Sequence, residues 1–195
     1  MCENRKEMSK VTVWTKQNEA VLKQLEENGR FIAVESYMRK AMEDTSDIMM
    51  LVYRWLAAHM PTQSVRPADA SFPVWVSLIE EATMMPEKGN VILELSVDSE
   101  YLALCDITKW TRIINYSYIP LDQEDNERHN KLLSDYGIDD VKAVMTPFYP
   151  QIKRIVMNSW DRLFDDSVKL GGAGSYGLLW EVRKEWIKEV RLWKE

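Results

Sequence analysis

Strand-like runs stand at both ends of this 195-residue chain and in its middle, with helical patterns gathered between them. No strand–helix alternation repeats, so a doubly wound parallel sheet is excluded. The order predicts an α+β fold: small, mostly antiparallel sheets packed with several helices. The clearest strand is Val91–Val97, where Val91, Leu93, Leu95 and Val97 point one way and Ile92, Glu94 and Ser96 the other. Val11–Thr15, Phe31–Val34, Pro73–Leu78, Tyr176–Val182 and Trp186–Trp193 read as further strands.

The helices announce themselves by stripes and stops. Val21, Leu22 and Leu25 form one stripe after a capping Asn18, and Asn28-Gly29 ends it. Tyr37–Met60 is helical with a break near Thr45-Ser46, and Pro61 stops it. Asp106 or Thr108 caps a helix carrying Trp110, Ile113 and Ile114. The charged stretch 122–135, ended by Gly137, predicts an exposed helix or an ordered lid. Phe148, Ile152, Ile155, Val156, Trp160 and Leu163 predict one amphipathic helix over 148–164. Residues 61–73 read as a Pro-, Ser- and Asp-bearing loop, the expected mobile excursion of the first half. No repeat or linker divides the chain. The expected organisation is a flexible lead-in over 1–10 and one α+β domain over 11–195.

A chain of this length buries roughly 70% of its unfolded surface and needs neither disulfide nor metal. Its net charge of −6 argues against a phosphate-backbone partner. The basic run Arg183, Lys184, Lys188 and Arg191 is interleaved with Glu185 and Glu189, the pattern of a solvated face. Only Cys2 and Cys105 are present, the first ten residues are polar, and no apolar stretch reaches bilayer length. The expected location is the cytoplasm, with no membrane partner.

Neither G-x-x-x-x-G-K nor G-x-G-x-x-G occurs, and Gly171-Gly172-Ala173-Gly174 follows a helix rather than a strand. That run is a turn or a backbone nest for an anion. His59 and His129 lie far apart, so no metal is expected.

Four candidate site residues, with Glu94 beside them, carry the functional expectations. Glu181 sits in Leu178-Leu179-Trp180-Glu181-Val182, where a carboxylate needs either a partner or a wet cleft. It is a catalytic acid that steadies a developing sugar cation, or one half of an ion pair with Arg54 or Arg39. Arg54, between Tyr53 and Trp55, is a diphosphate ligand or a surface charge. Thr15 ends a strand and meets a ligand or caps the next helix. Trp14 stacks on a ligand ring or packs in the core. Glu94 lines the same groove or faces outward from its strand.

Spaced segments also carry a resemblance: Val13-Trp14-Thr15-Lys16-Gln17, Tyr53-Arg54-Trp55-Leu56, Pro73-Val74-Trp75, Asp106-Ile107-Thr108-Lys109-Trp110, Ser159-Trp160-Asp161-Arg162-Leu163-Phe164 and Leu179-Trp180-Glu181-Val182. From about residue 11 to 193 they resemble a bacterial family of uncharacterised proteins that open with Leu-Trp-Thr-x-Gln. Val13 stands in place of the usual leucine. More remotely, a strand ending in an aromatic-Thr pair, then a helix and Gly, is similar to the opening of ADP-ribosyltransferase-like folds. That likeness implies NAD in a cleft between two small sheets, with Trp14, Thr15 and Arg54 on the cofactor and Glu181 as the late-strand acid. Trp14 occupies the position where those folds carry His or Arg.

Three functions are open at this point: a nucleotide-binding glycosyl-transfer enzyme, a non-catalytic protein-binding or regulatory domain, and an RNA-acting enzyme. Whether the chain is an enzyme is left undecided.

Overall fold

The structure, a computed structural model, describes residues 9–42, 46–83, 85, 87–172 and 174–193, with side chains 40–48 omitted. Cys2, Thr45, Pro86, Ala173 and most of the expected lead-in lie outside those residues. The fold class is α+β. Within the span expected to form one domain, the chain groups into two compact units: Met1–Leu104 with Tyr176–Glu195, and Cys105–Ser175.

The first unit runs β1 (Lys10–Asn18), α1 (Ala20–Asn28), β2 (Arg30–Phe31), α2 (Glu35–Met42), α3 (Ser46–His59), β3 (Val74–Val76), β4 (Asn90–Asp98), β5 (Ala103–Asp106), β6 (Ser175–Leu179), β7 (Val182–Arg183) and β8 (Ile187–Leu192). The unit boundaries fall inside β5 and at the head of β6. The strands form three small sheets, β1-β4-β8, β2-β7 and β3-β6-β5. The pairings β1–β4, β4–β8, β2–β7 and β3–β6 are antiparallel.

The alternation read in β4 holds: Val91, Leu93, Leu95 and Val97 are fully buried. Each such side chain contributes about 1.5–3 kcal/mol by leaving water. Ile92, expected on the outer face, is buried as well. Across from β4, Val13 and Thr15 are the buried residues of β1, with Val13 opposite Leu95 and Thr15 opposite Leu93. On the other edge Glu94 faces Glu189, and the register then slips so that Leu95 faces Ile187. The spare residue, Lys188, is a bulge in β8. Like charges opposite one another repel. Here Arg191 bonds both carboxylates, Glu189 at 2.9 Å and Glu94 at 3.3 Å, and also Glu80. Glu94 is therefore part of an ion cluster rather than a groove-lining acid.

Helix α1 ends as expected in a left-handed Gly29, φ 70°. The Asn18 side chain accepts the Ala20 N–H at 3.0 Å.

The second unit is helical: α4 (Ile107–Ile114), α5 (Gln123–Tyr136), α6 (Asp140–Met145), α7 (Pro150–Ser159) and a 3-10 turn at Trp160–Phe164. Asp106 caps α4 by accepting the N–H groups of Thr108 and Lys109 at 2.8 and 3.0 Å. Gly137 closes α5 at φ 62°. The helix expected over 148–164 is shorter and tightens at its end. Pro150 takes the first helical position, where its missing N–H costs nothing. Phe148 is therefore outside the helix and 77% exposed. Gly172 touches α4 so closely that a Cβ would lie 2.1 Å from Thr108 Oγ1. With φ at 125°, only glycine fits there.

Five of the eight tryptophans (Trp55, Trp110, Trp160, Trp180 and Trp186) are buried, so most of the set packs in the core.

Candidate functional site

The site of interest in the first unit begins at one backbone bridge. Trp14 donates its N–H to Ser77 O at 3.0 Å, and Ser77 donates back to Trp14 O at 2.6 Å. This isolated antiparallel bridge ties β1 to the end of β3. A continued ladder would pair Lys16 with Trp75. Instead β1 stays in register with β4, and β3 with β6, so the two strands diverge. The wedge is spanned by side chains: Thr15 Oγ1 donates to Trp75 O at 2.8 Å and accepts from Gln17 Nε2 at 2.8 Å. Gly177 on β6 lets the second sheet close, since a Cβ there would lie 2.6 Å from both Leu102 and Val76.

The divergence opens a cavity of about 420 Å³. Trp14, Trp75 and Tyr176 supply aromatic walls, and Phe31, Met38 and Val74 an apolar floor. The rings of Trp75 and Tyr176 meet edge to face, with centroids 6.4 Å apart. Polar groups enter from Thr15, Gln17, Lys16 and Thr83. The Thr83 hydroxyl is buried with no hydrogen-bond partner among the described residues. Lys16 Nζ lies 3.0 Å from Glu87.

The four residues singled out in the sequence separate into three places. Trp14 and Thr15 share this cavity. Trp14 donates Nε1–H to Glu94 at 3.3 Å. Thr15 is a buried strut between strands, not a helix cap. Arg54 lies on α3, 58% exposed, and pairs with Glu35 at 2.8 Å, which Arg39 also holds at 2.9 Å. It lines a different cavity of about 340 Å³, with Arg66 and Asp69.

Glu181 lies between β6 and β7 rather than on a strand, and it is 6% exposed. Its carboxylate is taken at both oxygens: Arg30 Nη1 donates to Oε2 at 3.0 Å and Arg183 Nε to Oε1 at 2.7 Å. The ion pair expected with Arg54 or Arg39 is made instead with these two arginines. Arg30 reaches on to Asp69 at 2.8 Å, and Arg183 stacks over Tyr101 and Trp186 at 4.7 and 4.9 Å. Hydrogen bonding to Glu181 raises the Arg30 pKa above its ordinary value, against the lowering effect of burial. Glu181 thus connects to the Arg54 cavity through Arg30 and Asp69, and it lines neither cavity.

Sequence matching decides the family. Residues 12–188 match the family described as Domain of unknown function (DUF3841). The chain belongs to the DUF3841 family. No curated protein and no solved structure matches it. Every residue of the cavity named above lies inside the DUF3841 span, as do Glu181 and both its arginines. Lys16, Gln17, Trp75, Tyr176 and Thr83 had no assigned role in the sequence reading. The adjacency of Lys16 and Gln17 to Trp14-Thr15 was the available signal.

The second unit of the DUF3841 chain holds its own buried acid, Asp125. Its Oδ2 accepts from the Tyr118 hydroxyl, the Leu121 N–H and Arg162 at 2.9, 2.9 and 3.0 Å, and Oδ1 from Arg128 at 3.1 Å. Burial alone would raise this carboxyl, but the Leu121 N–H, Tyr118 and Arg162 outweigh it and hold the pKa below the ordinary aspartate value. His129 stacks on Tyr118 at 4.0 Å and meets Asp140 at 2.6 Å through Nε2. Burial pushes the Cys105 thiol up to about 12, so it is no nucleophile at neutral pH. Among the described residues no three His, Cys, Asp or Glu side chains converge as metal ligands. No described helix is long and apolar enough to cross a membrane.

Proposed function

We infer that this DUF3841 domain binds a small ligand of the nucleotide class, with its planar ring seated between Trp14, Trp75 and Tyr176. The observation that carries the reading is the wedge at the Trp14–Ser77 bridge, where aromatic walls stand beside half-used polar groups. Its volume of about 420 Å³ is in the range of small-molecule sites. Aromatic walls stack on any base through its π-face. Gln17 spends one amide hydrogen on Thr15, and its amide oxygen has no partner among the described residues. That oxygen can read the edge of a ring. A cleft where two small sheets diverge is also the kind of place in which the remote ADP-ribosyltransferase likeness would put NAD.

Binding, not glycosyl transfer, is the favoured activity. The acid proposed for that chemistry, Glu181, has both oxygens engaged by arginines, and among the described residues no Asp or Glu lines the aromatic cavity. Tryptophan fluorescence and thermal unfolding, followed with the four ribonucleosides, their 5′-monophosphates and NAD, test the reading. A ligand that quenches fluorescence and raises Tm in the wild type, but not in Trp75→Ala, is the expected result. No response to any of them would overturn it.

A further inference from the structure

Lys16 is the one charged residue lining the aromatic cavity among the described residues, in a chain whose net charge is −6. Its side chain is only 15% exposed. That figure covers stem and head together, and the ammonium reaches out from the covered stem to a counter-charge. In the structure that counter-charge is Glu87, 3.0 Å away and itself 66% exposed. Glu87 opens a tight turn, where Asn90 N–H donates to its carbonyl at 2.9 Å and Gly89 has φ 83°.

The two ends of this pair have unequal stakes. Glu87 is mostly in water and loses little by releasing the lysine, because exposed ion pairs are weak. Lys16 is the less exposed partner and gains more from a stronger counter-charge. A phosphate group carries about two negative charges and three acceptor oxygens, so it outcompetes one carboxylate for the same ammonium. A further donor is already in the cavity wall: the Thr83 hydroxyl, buried and without a partner among the described residues. Thr83 and Glu87 both belong to the segment between β3 and β4, so the carboxylate and the unused hydroxyl come from one stretch of chain.

We propose that the cavity takes a phosphate-bearing ligand, with the phosphate on Lys16, and that Glu87 holds the phosphate's place until the ligand arrives. The proposal rests on the ligand-binding reading of the same cavity and adds two claims: an anionic subsite, and a built-in competitor for it. The competitor lowers apparent affinity for every phosphate-bearing ligand and leaves uncharged ring compounds unaffected. Free inorganic phosphate lacks the ring contacts that offset the cost of displacing Glu87, so it binds weakly.

Calorimetric titration of the full chain with ribonucleosides, their 5′-monophosphates and inorganic phosphate tests it. The 5′-monophosphate should bind about tenfold more tightly than its nucleoside, as a charge-assisted contact implies. Lys16→Met should erase that preference while leaving nucleoside binding in place, and Lys16→Arg should keep it. Glu87→Gln should tighten monophosphate binding about two- to fivefold, the scale of one exposed ion pair, with nucleoside binding unchanged. Equal affinity for nucleoside and monophosphate would remove the phosphate subsite and leave the ring site standing. Glu87→Gln weakening both would overturn the competitor. Binding of neither form would remove the cavity reading and this proposal with it.

Discussion

Around Glu181 each of the three charges has a partner within 3.0 Å, whereas around Lys16 the cavity keeps a buried hydroxyl and an amide oxygen without one among the described residues. Both regions are in the first unit, and both mix aromatic rings with charge. The difference separates two uses of buried polarity. A saturated cluster fixes the position of the chain, because every change to it leaves a charge unpaired. An unsaturated cavity leaves hydrogen-bonding capacity for something that is not part of the chain.

The largest effect should come from breaking the saturated cluster. Glu181→Ala removes the shared carboxylate of Arg30 and Arg183, leaving Arg183 over Tyr101 and Trp186 without it and Arg30 with Asp69 alone. Removing one partner of a buried pair costs about 3–5 kcal/mol, and partial exposure of the arginines places this case near 3 kcal/mol. Urea unfolding measures it. Ligand affinity of the folded fraction should stay at the wild-type value. A folded Glu181→Ala that no longer binds nucleotides would merge the two regions and defeat the contrast.

Asp125 extends the contrast to the second unit. Its folded pKa lies below the unfolded value, so its contribution is fully present above about pH 4. The contribution is lost as pH falls through 3.8 and on below it, toward the folded value. Hydrogen bonds to one such carboxylate contribute about 2 kcal/mol. Asp125→Asn should lose that stability at pH 7 and show a flatter acid limb in circular dichroism. An acid limb as steep as the wild type's would mean that other groups set it.

Trp75→Ala acts on the unsaturated side. Loss of one stacking wall should weaken nucleotide binding by about fivefold to a hundredfold, in line with roughly 1–3 kcal/mol per stacked base. Acid stability should be unchanged. Affinity within about twofold of wild type would show that the ring sits elsewhere.

The two regions were also unequally legible in sequence, for reasons of range. Strand β4 and the Asp106 and Gly137 helix ends are local: alternation, a capping carboxylate and a left-handed glycine each act within a few residues. The 148–164 stripe was misleading because Pro150 sets where α7 begins, which leaves Phe148 outside an otherwise matching period. Glu181 reads from the sequence as a carboxylate that needs either a partner or a wet cleft. Arg30 is 151 residues away in the chain, however, and no periodicity points to it. The cavity was the least legible part. It arises because β1 follows β4 and β3 follows β6, so the gap between β1 and β3 is a property of pairing partners, not of either strand. For the same reason, unit boundaries inside β5 and at the head of β6 left no linker in the composition.

Arg54 gives the smallest predicted effect and the finest test of the contrast. It was grouped with Trp14 and Thr15 as a cofactor residue, yet it lines the other cavity and pairs with Glu35 at the surface. Exposed pairs of this kind contribute about 0–1 kcal/mol, and Glu35 keeps Arg39 when Arg54 is removed. Arg54→Ala should therefore change unfolding free energy by no more than about 0.5 kcal/mol. It should also leave the preference for monophosphate over nucleoside intact, while Lys16→Met abolishes it. The paired measurement is decisive because both substitutions delete one positive charge and shift the net charge equally. A general loss of electrostatic attraction would affect them alike, and only a phosphate seated at Lys16 separates them. If Arg54→Ala lowers monophosphate affinity as far as Lys16→Met does, the phosphate is bound by the field of the whole unit, and the distinction between a reserved cavity and a saturated cluster loses its basis.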